Sequence, residues 1–203
     1  MAPVGSNGPE AADGLHTLPV TDGPRAAAMD DAVRRAARIR LLALDVDGTL
    51  TDGTLFIGAQ GETMKGFNVR DGFGLTLLKE AGIIRAIVTG RSSAIVERRA
   101  AELGIGIVLQ GVRDKAQALA GLARDAGLSL DEVAYMGDDW PDLPALRVAG
   151  LAAAPADATA PVRASAHWVS RCRAGHGAVR ELAEWLLEAR GELDAHLARH
   201  RGA

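Results

Sequence analysis

Apolar positions along this chain fall into short runs separated by amphipathic stretches, and the alternation begins abruptly. Residues 1–30 carry Gly, Pro, Ala and Asp without apolar periodicity, which predicts a disordered N-terminal tail. An Arg/Ala-rich segment, Asp31 to Arg38, has the composition of a short helix. Ile39 to Leu44 is an apolar run that stops at Asp45, as a buried strand does. Thr54 to Ile57 and Thr63 to Val69, separated by Gly58-Ala59-Gln60-Gly61, predict a β-hairpin flap within residues 53–68. Helices are then expected over Asp71 to Ala81 and, capped by Ser92, up to Leu103. Strands are expected over Ile83–Thr89, Ile105–Leu109 and Glu132–Met136. Leu119, Leu122, Ala123 and Ala126 mark another amphipathic helix, and a short one follows Pro141. Leu151–Ala154 and His167–Val169 read as the last strands. Val179, Leu182, Ala183, Leu186 and Leu187 give the clearest helical stripe. Residues 31–190 are thus expected to form one domain, with 191–203 as a C-terminal tail. Such alternation predicts an α/β fold, a parallel sheet with helices on both faces. Ligands of such sheets sit beyond the carboxyl ends of the strands, so the residues that end each apolar run are the ones to inspect.

Composition changes this picture little. A hydrophobic fraction of 48% supports a full core, and with aromatics at 3% that core is aliphatic. The formal net charge of −3 gives no support to a nucleic-acid or membrane-surface partner. An anionic substrate would therefore need a local cation. The single cysteine, Cys172, excludes an intrachain disulfide and fits a reducing cytoplasm. No apolar run is long enough to cross a bilayer, and no basic-then-apolar start predicts a signal peptide.

Four strand ends carry chemistry. Asp45-Val46-Asp47-Gly48-Thr49 places two carboxylates just past a buried strand, where they are costly unless they bind something. One carboxylate can attack phosphorus, and a second can protonate the leaving oxygen and later deprotonate water. Thr89-Gly90-Arg91 offers a hydroxyl and backbone amides for phosphoryl oxygens at a helix start. Lys115, after Gln110-Gly111-Val112-Arg113-Asp114, can neutralise phosphate charge. Gly137-Asp138-Asp139, with Asp142 beyond, adds the oxygen ligands that a hard divalent cation such as Mg²⁺ takes. Singly, each motif is commonplace: a turn, a helix entry, a surface lysine, a cap. A calcium loop is excluded because Phe56 stands where its distal Glu would be. In order, each ending a separate apolar run, the four point to phosphoryl transfer.

This order resembles the four-motif signature of haloacid dehalogenase-type phosphatases. A narrower resemblance spans residues 39 to about 195. Asp45 to Gly53, the Phe67-Asn68-Val69-Arg70-Asp71-Gly72-Phe73-Gly74 stretch and Gly175-His176-Gly177-Ala178-Val179-Arg180-Glu181 resemble the 3-deoxy-D-manno-octulosonate 8-phosphate phosphatases. The resemblance implies a haloacid dehalogenase-like Rossmannoid sheet with a hairpin flap and no cap domain. It implies hydrolysis of a small phosphorylated sugar acid through an aspartyl phosphate, in lipopolysaccharide precursor synthesis. Asp45 is then the nucleophile and Asp47 the general acid/base. Thr89 and Lys115 hold phosphoryl oxygens, joined by Gly90 and Arg91. Arg70, Asp71 and His176 are implied substrate contacts. Mg²⁺ is implied on Asp45, the backbone carbonyl of Asp47, and Asp138, with Asp139 or Asp142 orienting that shell. A homotetramer is implied, its neighbours closing each other's sites. Relatives acting on nine-carbon sugar acid 9-phosphates share the chemistry, and Glu62 and Lys65 in the hairpin bear on that choice. A catalytically silent assembly domain is the alternative of another class, opposed by the intact Asp45, Asp47, Lys115 and Asp138. Departures are Thr49, Trp140 after Asp139, and His176 where the family often has Arg.

Overall fold

The computed structural model describes residues 24–202. It contains a six-stranded parallel sheet and a separate two-stranded hairpin. Strands β1 (Leu41–Leu44), β4 (Ile84–Val88), β5 (Ile107–Leu109), β6 (Val133–Met136), β7 (Leu151–Ala154) and β8 (Trp168–Val169) run in the order β5-β4-β1-β6-β7-β8. The hairpin pairs β2 (Phe56–Gly58) with β3 (Gly61–Met64) in antiparallel fashion. Helices are α1 (Pro24–Ala36), α2 (Val69–Glu80), α3 (Ala94–Glu102), α4 (Lys115–Asp125), α5 (Leu143–Val148), α6 (Ala160–Ser165), α7 (Ala178–Ala189) and α8 (Leu193–Arg201).

Both faces of the sheet are covered, so β1, β6 and β7 are buried on every residue rather than on alternate ones. Along β1, Leu42 and Leu44 join the side chains of α2, α3 and α7. Leu41 and Ala43, which point the other way, join those of α4 and α5. Leu41 pairs with Ile84 on one side and Val133 on the other, so β1 lies inside the sheet. The chain leaves β1 toward β4 and later returns to β6 on β1's other side. That reversal opens a crevice at the carboxyl end of β1, where Asp45 stands. Between β1 and α2 the only insertion is the hairpin, and between Lys115 and Asp138 there is one helix, a 3₁₀ turn and a strand. The fold is therefore capless.

Several boundaries differ from the sequence expectation. Residues 24–30, read as part of the disordered tail, belong to α1; residues 1–23 lie outside the described residues. The C-terminal tail forms α8, which buries His196 against the body. Its single buried side chain gives no stripe for pattern reading to find. Helix α6, with Val162 its only buried residue, was missed for the same reason. The second hairpin strand stops at Met64, and Lys65 to Asn68 leads into α2 without regular structure. Helix α3 starts one residue later than expected, with Ser93 at its N-cap position, and the Ser93 hydroxyl makes no cap bond.

Candidate active site

The turn after β1 is organised by one carbonyl. The Val46 oxygen accepts from the amides of Thr49, Leu50 and Thr51, and the Thr51 hydroxyl adds a fourth contact at 3.3 Å. Gly48 turns the chain with φ of 91°, and a Cβ there would lie 2.2 Å from Asp138 Oδ2. Only glycine lets the turn lie flat against that carboxylate.

Lys115, the first residue of α4, is positioned by Asp114, whose side chain caps the helix by accepting from the Gln117 amide at 2.9 Å. Its buried ammonium donates to Asp45 Oδ1 at 2.8 Å and to Asp142 Oδ1 at 2.6 Å. Asp142 Oδ1 also accepts from the Tyr135 hydroxyl at 2.6 Å, and its Oδ2 from the amides of Asp138 and Asp139 at 3.0 and 3.2 Å. Asp142 is thus fully engaged in holding other groups. The Thr49 hydroxyl donates to Asp138 Oδ1 at 3.2 Å. Oxygens of Asp45, Asp138 and Asp142 lie within 4.8 Å of one another. Burial, then the neighbouring Asp142 charge, pushes the Asp45 carboxyl up to about 6. Burial, then Asp142 and Asp45, pushes Asp138 up to about 7. Burial alone would lower Lys115, but the Asp45 and Asp142 charges outweigh it and hold the ammonium above its ordinary value. Crowded carboxylates on hard oxygen atoms are what a divalent cation relieves.

Opposite this cluster, Thr89 is buried at the end of β4, and Gly90 and Arg91 follow it exposed. Thr89, Gly90, Arg91, Val112 and Arg113 line an open cleft of about 220 Å³ together with Asp45, Asp47, Lys115 and Asp138. Asp47 turns its carboxylate away from the cluster. One oxygen pairs with Lys65 of the hairpin, and the other lies 3.4 Å from Arg91. The acidic cluster therefore contains the Asp142 carboxylate and not that of Asp47, whose backbone carbonyl alone remains as an expected ligand.

Comparison with known proteins fits this geometry. Residues 68–150 match the model of the haloacid dehalogenase-like hydrolases. The 3-deoxy-D-manno-octulosonate 8-phosphate phosphatase of Yersinia pestis is 44% identical over 165 residues, 81% of this chain and 88% of that protein. The Escherichia coli K12 protein of the same name is 44% identical over 164 residues, 81% of this chain and 87% of that one. The chain belongs to the 3-deoxy-D-manno-octulosonate 8-phosphate phosphatase family. Among solved structures, the Moraxella catarrhalis phosphatase, in complex with magnesium, phosphate and KDO, is 46% identical with a TM-score of 0.82. That match covers 85% of this chain and 99% of the other. A cobalt-bound Haemophilus influenzae relative is 40% identical with a TM-score of 0.78, covering 79% of this chain and 94% of its own.

In this member of the phosphatase family, three expected substrate contacts stand apart from the cleft. Asp71 is buried, and its carboxylate accepts from the amides of Gly177 at 3.2 Å and Arg180 at 2.8 Å. It satisfies the otherwise unpaired amides that open α7, which gives it a structural role at that junction. Asn68 works beside it, capping α2 through the Arg70 amide and donating to the Gly175 carbonyl at 3.1 Å. The two family stretches, 67–74 and 175–181, are thus each other's partners. Arg70 and His176 line a separate concavity with Arg171 and Arg180. Sequence reading missed the mooring role of Tyr135, which sits inside an apolar strand and reads as core. Lys65 it left open, since its contact with Asp47 spans 18 residues and leaves no local pattern.

Proposed function

We propose that this protein is a Mg²⁺-dependent phosphatase that hydrolyses 3-deoxy-D-manno-octulosonate 8-phosphate to the free sugar acid and phosphate, in lipopolysaccharide precursor synthesis. The observation that carries the reading is the Asp45–Lys115–Asp142 chain at the head of β1, in a chain 46% identical to a structure holding magnesium, phosphate and KDO. Asp45, Asp138 and the Asp47 carbonyl fit Mg²⁺, because they offer hard oxygen ligands and the two carboxylates lie in an acidic cluster, within 4.8 Å of one another. When bound, the cation offsets phosphoryl charge and Asp45 charge together.

Asp45 is free to attack because Lys115 fixes its orientation. A bond forms from Asp45 to phosphorus, and the bond from phosphorus to the sugar oxygen breaks. Asp47 gives its proton to that leaving oxygen. Asp47 then takes a proton from water, which attacks phosphorus and returns the Asp45 carboxylate as phosphate departs. Thr89, Lys115 and the Gly90 amide hold the phosphoryl oxygens, and Arg91 sits where an anionic substrate enters. Asp142 orients Lys115 and the Asp138 loop.

We further propose a homotetramer in the cytoplasm. Phe56, Ile57 and Met64 are 41%, 62% and 53% exposed on the hairpin, more apolar surface than an isolated flap keeps in water. Pairing of hairpins would cover it, and bring a neighbour's His176 loop to the cleft. The cytoplasmic reading rests on Cys172, the free thiol of the chain. Phosphate release from eight- and nine-carbon sugar acid phosphates tests the function. Preference for the eight-carbon substrate by kcat/KM is expected; preference for the nine-carbon one would move the protein to the neighbouring specificity, and no turnover of either would sink the proposal.

A further inference from the structure

The hairpin is exposed along most of its length, yet one of its charged side chains is not. Thr63, Met64 and Gly66 face solvent, whereas the Lys65 side chain retains 1% of its exposure. An ammonium leaves water only where partners replace its hydration. Lys65 has two: the Asp47 carboxylate, through Oδ1, and Glu62 Oε1 at 2.8 Å. Glu62 in turn accepts from the Ser93 hydroxyl. That bond explains why Ser93 makes no cap bond to α3. Arg91 closes the group, 3.4 Å from Asp47 Oδ2 and 3.6 Å from Glu62. Three separate segments, the turn after β1, the hairpin, and the loop after β4, are thereby tied together around Asp47. Of the groups expected to hold phosphate, the tie takes in Arg91 but neither Thr89 nor Lys115.

The two oxygens of Asp47 are not equivalent in this network. Oδ1 is committed to a buried lysine. Oδ2 has only a long contact with Arg91, whose side chain is 46% exposed and free to swing toward an arriving anion. Resting on the reading of Asp47 as general acid and base, we propose that Lys65 is a positioning residue for proton transfer. It anchors Oδ1 so that Oδ2 faces the leaving oxygen, and the Glu62–Ser93 pair holds Lys65 in place. The hairpin thus contributes to the chemistry of its own subunit. Without the anchor, Asp47 rotates freely and spends less time aimed at the bond that breaks.

Leaving-group dependence tests this, because a poor leaving group needs the proton and a good one does not. The measurement is kcat/KM, which covers steps through cleavage of the phosphorus–oxygen bond. The substrates are the sugar acid 8-phosphate, an alkyl phosphate, and p-nitrophenyl phosphate. Lys65→Met is expected to lower kcat/KM for the alkyl phosphate about tenfold more than for the aryl one. Lys65→Arg restores most of the loss, and Ser93→Ala, at the far end of the network, gives the same direction at about two- to threefold. Equal losses on both substrates, or a rise in KM alone, would make Lys65 a substrate ligand or a structural group and overturn the proposal. Should Lys65→Met fail to fold, Ser93→Ala carries the same readout, and no leaving-group effect there overturns it equally. Asp47→Asn separates the two layers: if it too lacks leaving-group discrimination, the assignment of Asp47 itself has failed.

Discussion

At the scale of single residues, the site is a set of carboxylates given different tasks by what surrounds them. Asp45 and Asp142 share one lysine, but Asp142 spends both oxygens on Lys115, Tyr135 and two amides, while Asp45 Oδ2 has no side-chain donor. Of these two, Asp45 alone keeps an oxygen without a side-chain donor among the described residues, which supports its proposed role as nucleophile. Asp45→Asn is therefore expected to lower kcat by about a thousandfold or more, measured as phosphate release from p-nitrophenyl phosphate, with the fold retained by circular dichroism. Turnover within a few-fold of the parent would contradict the assignment. The sequence made Asp45, Lys115, Thr89 and Asp138 legible because each ends or follows an apolar run, and the topology sends all such ends to one edge of the sheet. It left open whether Asp139 or Asp142 orients the site, because that depends on which groups reach each carboxylate in the fold.

At the scale of elements, the strong periodic signals held and the weak ones did not. The α7 stripe buries Val179, Leu182, Ala183, Leu186 and Leu187 as its spacing demanded, while α6 and α8 went unseen for want of a stripe. The Asn-Val-Arg-Asp-Gly stretch shows a different kind of illegibility. Its specificity in sequence suggested substrate contact, yet Asp71 secures one helix start to another. Helices α2 and α7 pack so closely that a Cβ on Gly74 would lie 3.0 Å from the Arg180 Cα. Asp71→Asn replaces an acceptor for two amides with a weaker one at a helix N-terminus. A loss of about 1–3 kcal/mol in urea unfolding is expected, and an unchanged midpoint would show that the junction stands without the charge.

At the scale of the whole molecule, the acidic cluster makes stability, pH and metal inseparable. The Asp45 and Asp138 carboxyls are raised to about 6 and about 7 in the fold, mainly by burial. Between the ordinary carboxylate range and pH 7 the folded protein then holds protons that the unfolded chain has released. Metal-free stability accordingly falls as pH rises through that window. Mg²⁺ replaces those protons, so the rise in Tm on adding it grows from pH 5 to pH 8. Melting curves at several pH values with and without chelator check this, and Asp138→Asn should flatten the metal-free slope; a Mg²⁺ effect independent of pH would contradict it. Assembly has its own test. Ile57→Asp with Met64→Asp is expected to convert a tetramer to smaller species by light scattering, and an unchanged mass would place the interface elsewhere. The junction at Asp71 also bears on how the protein is made. Chains emerge N-terminal end first, at roughly 5–20 residues per second. The amides that pair with Asp71 follow it by 106 and 109 residues. For about 5–20 s the start of α2 lacks its partner at the start of α7, although Asp45 and its strand are already outside the ribosome. The catalytic residue is thus among the early parts to be synthesised and its setting among the last to close. Arrested nascent chains ending before residue 177 should remain open to protease around residues 65–72, and protection at that stage would show that α2 settles without α7.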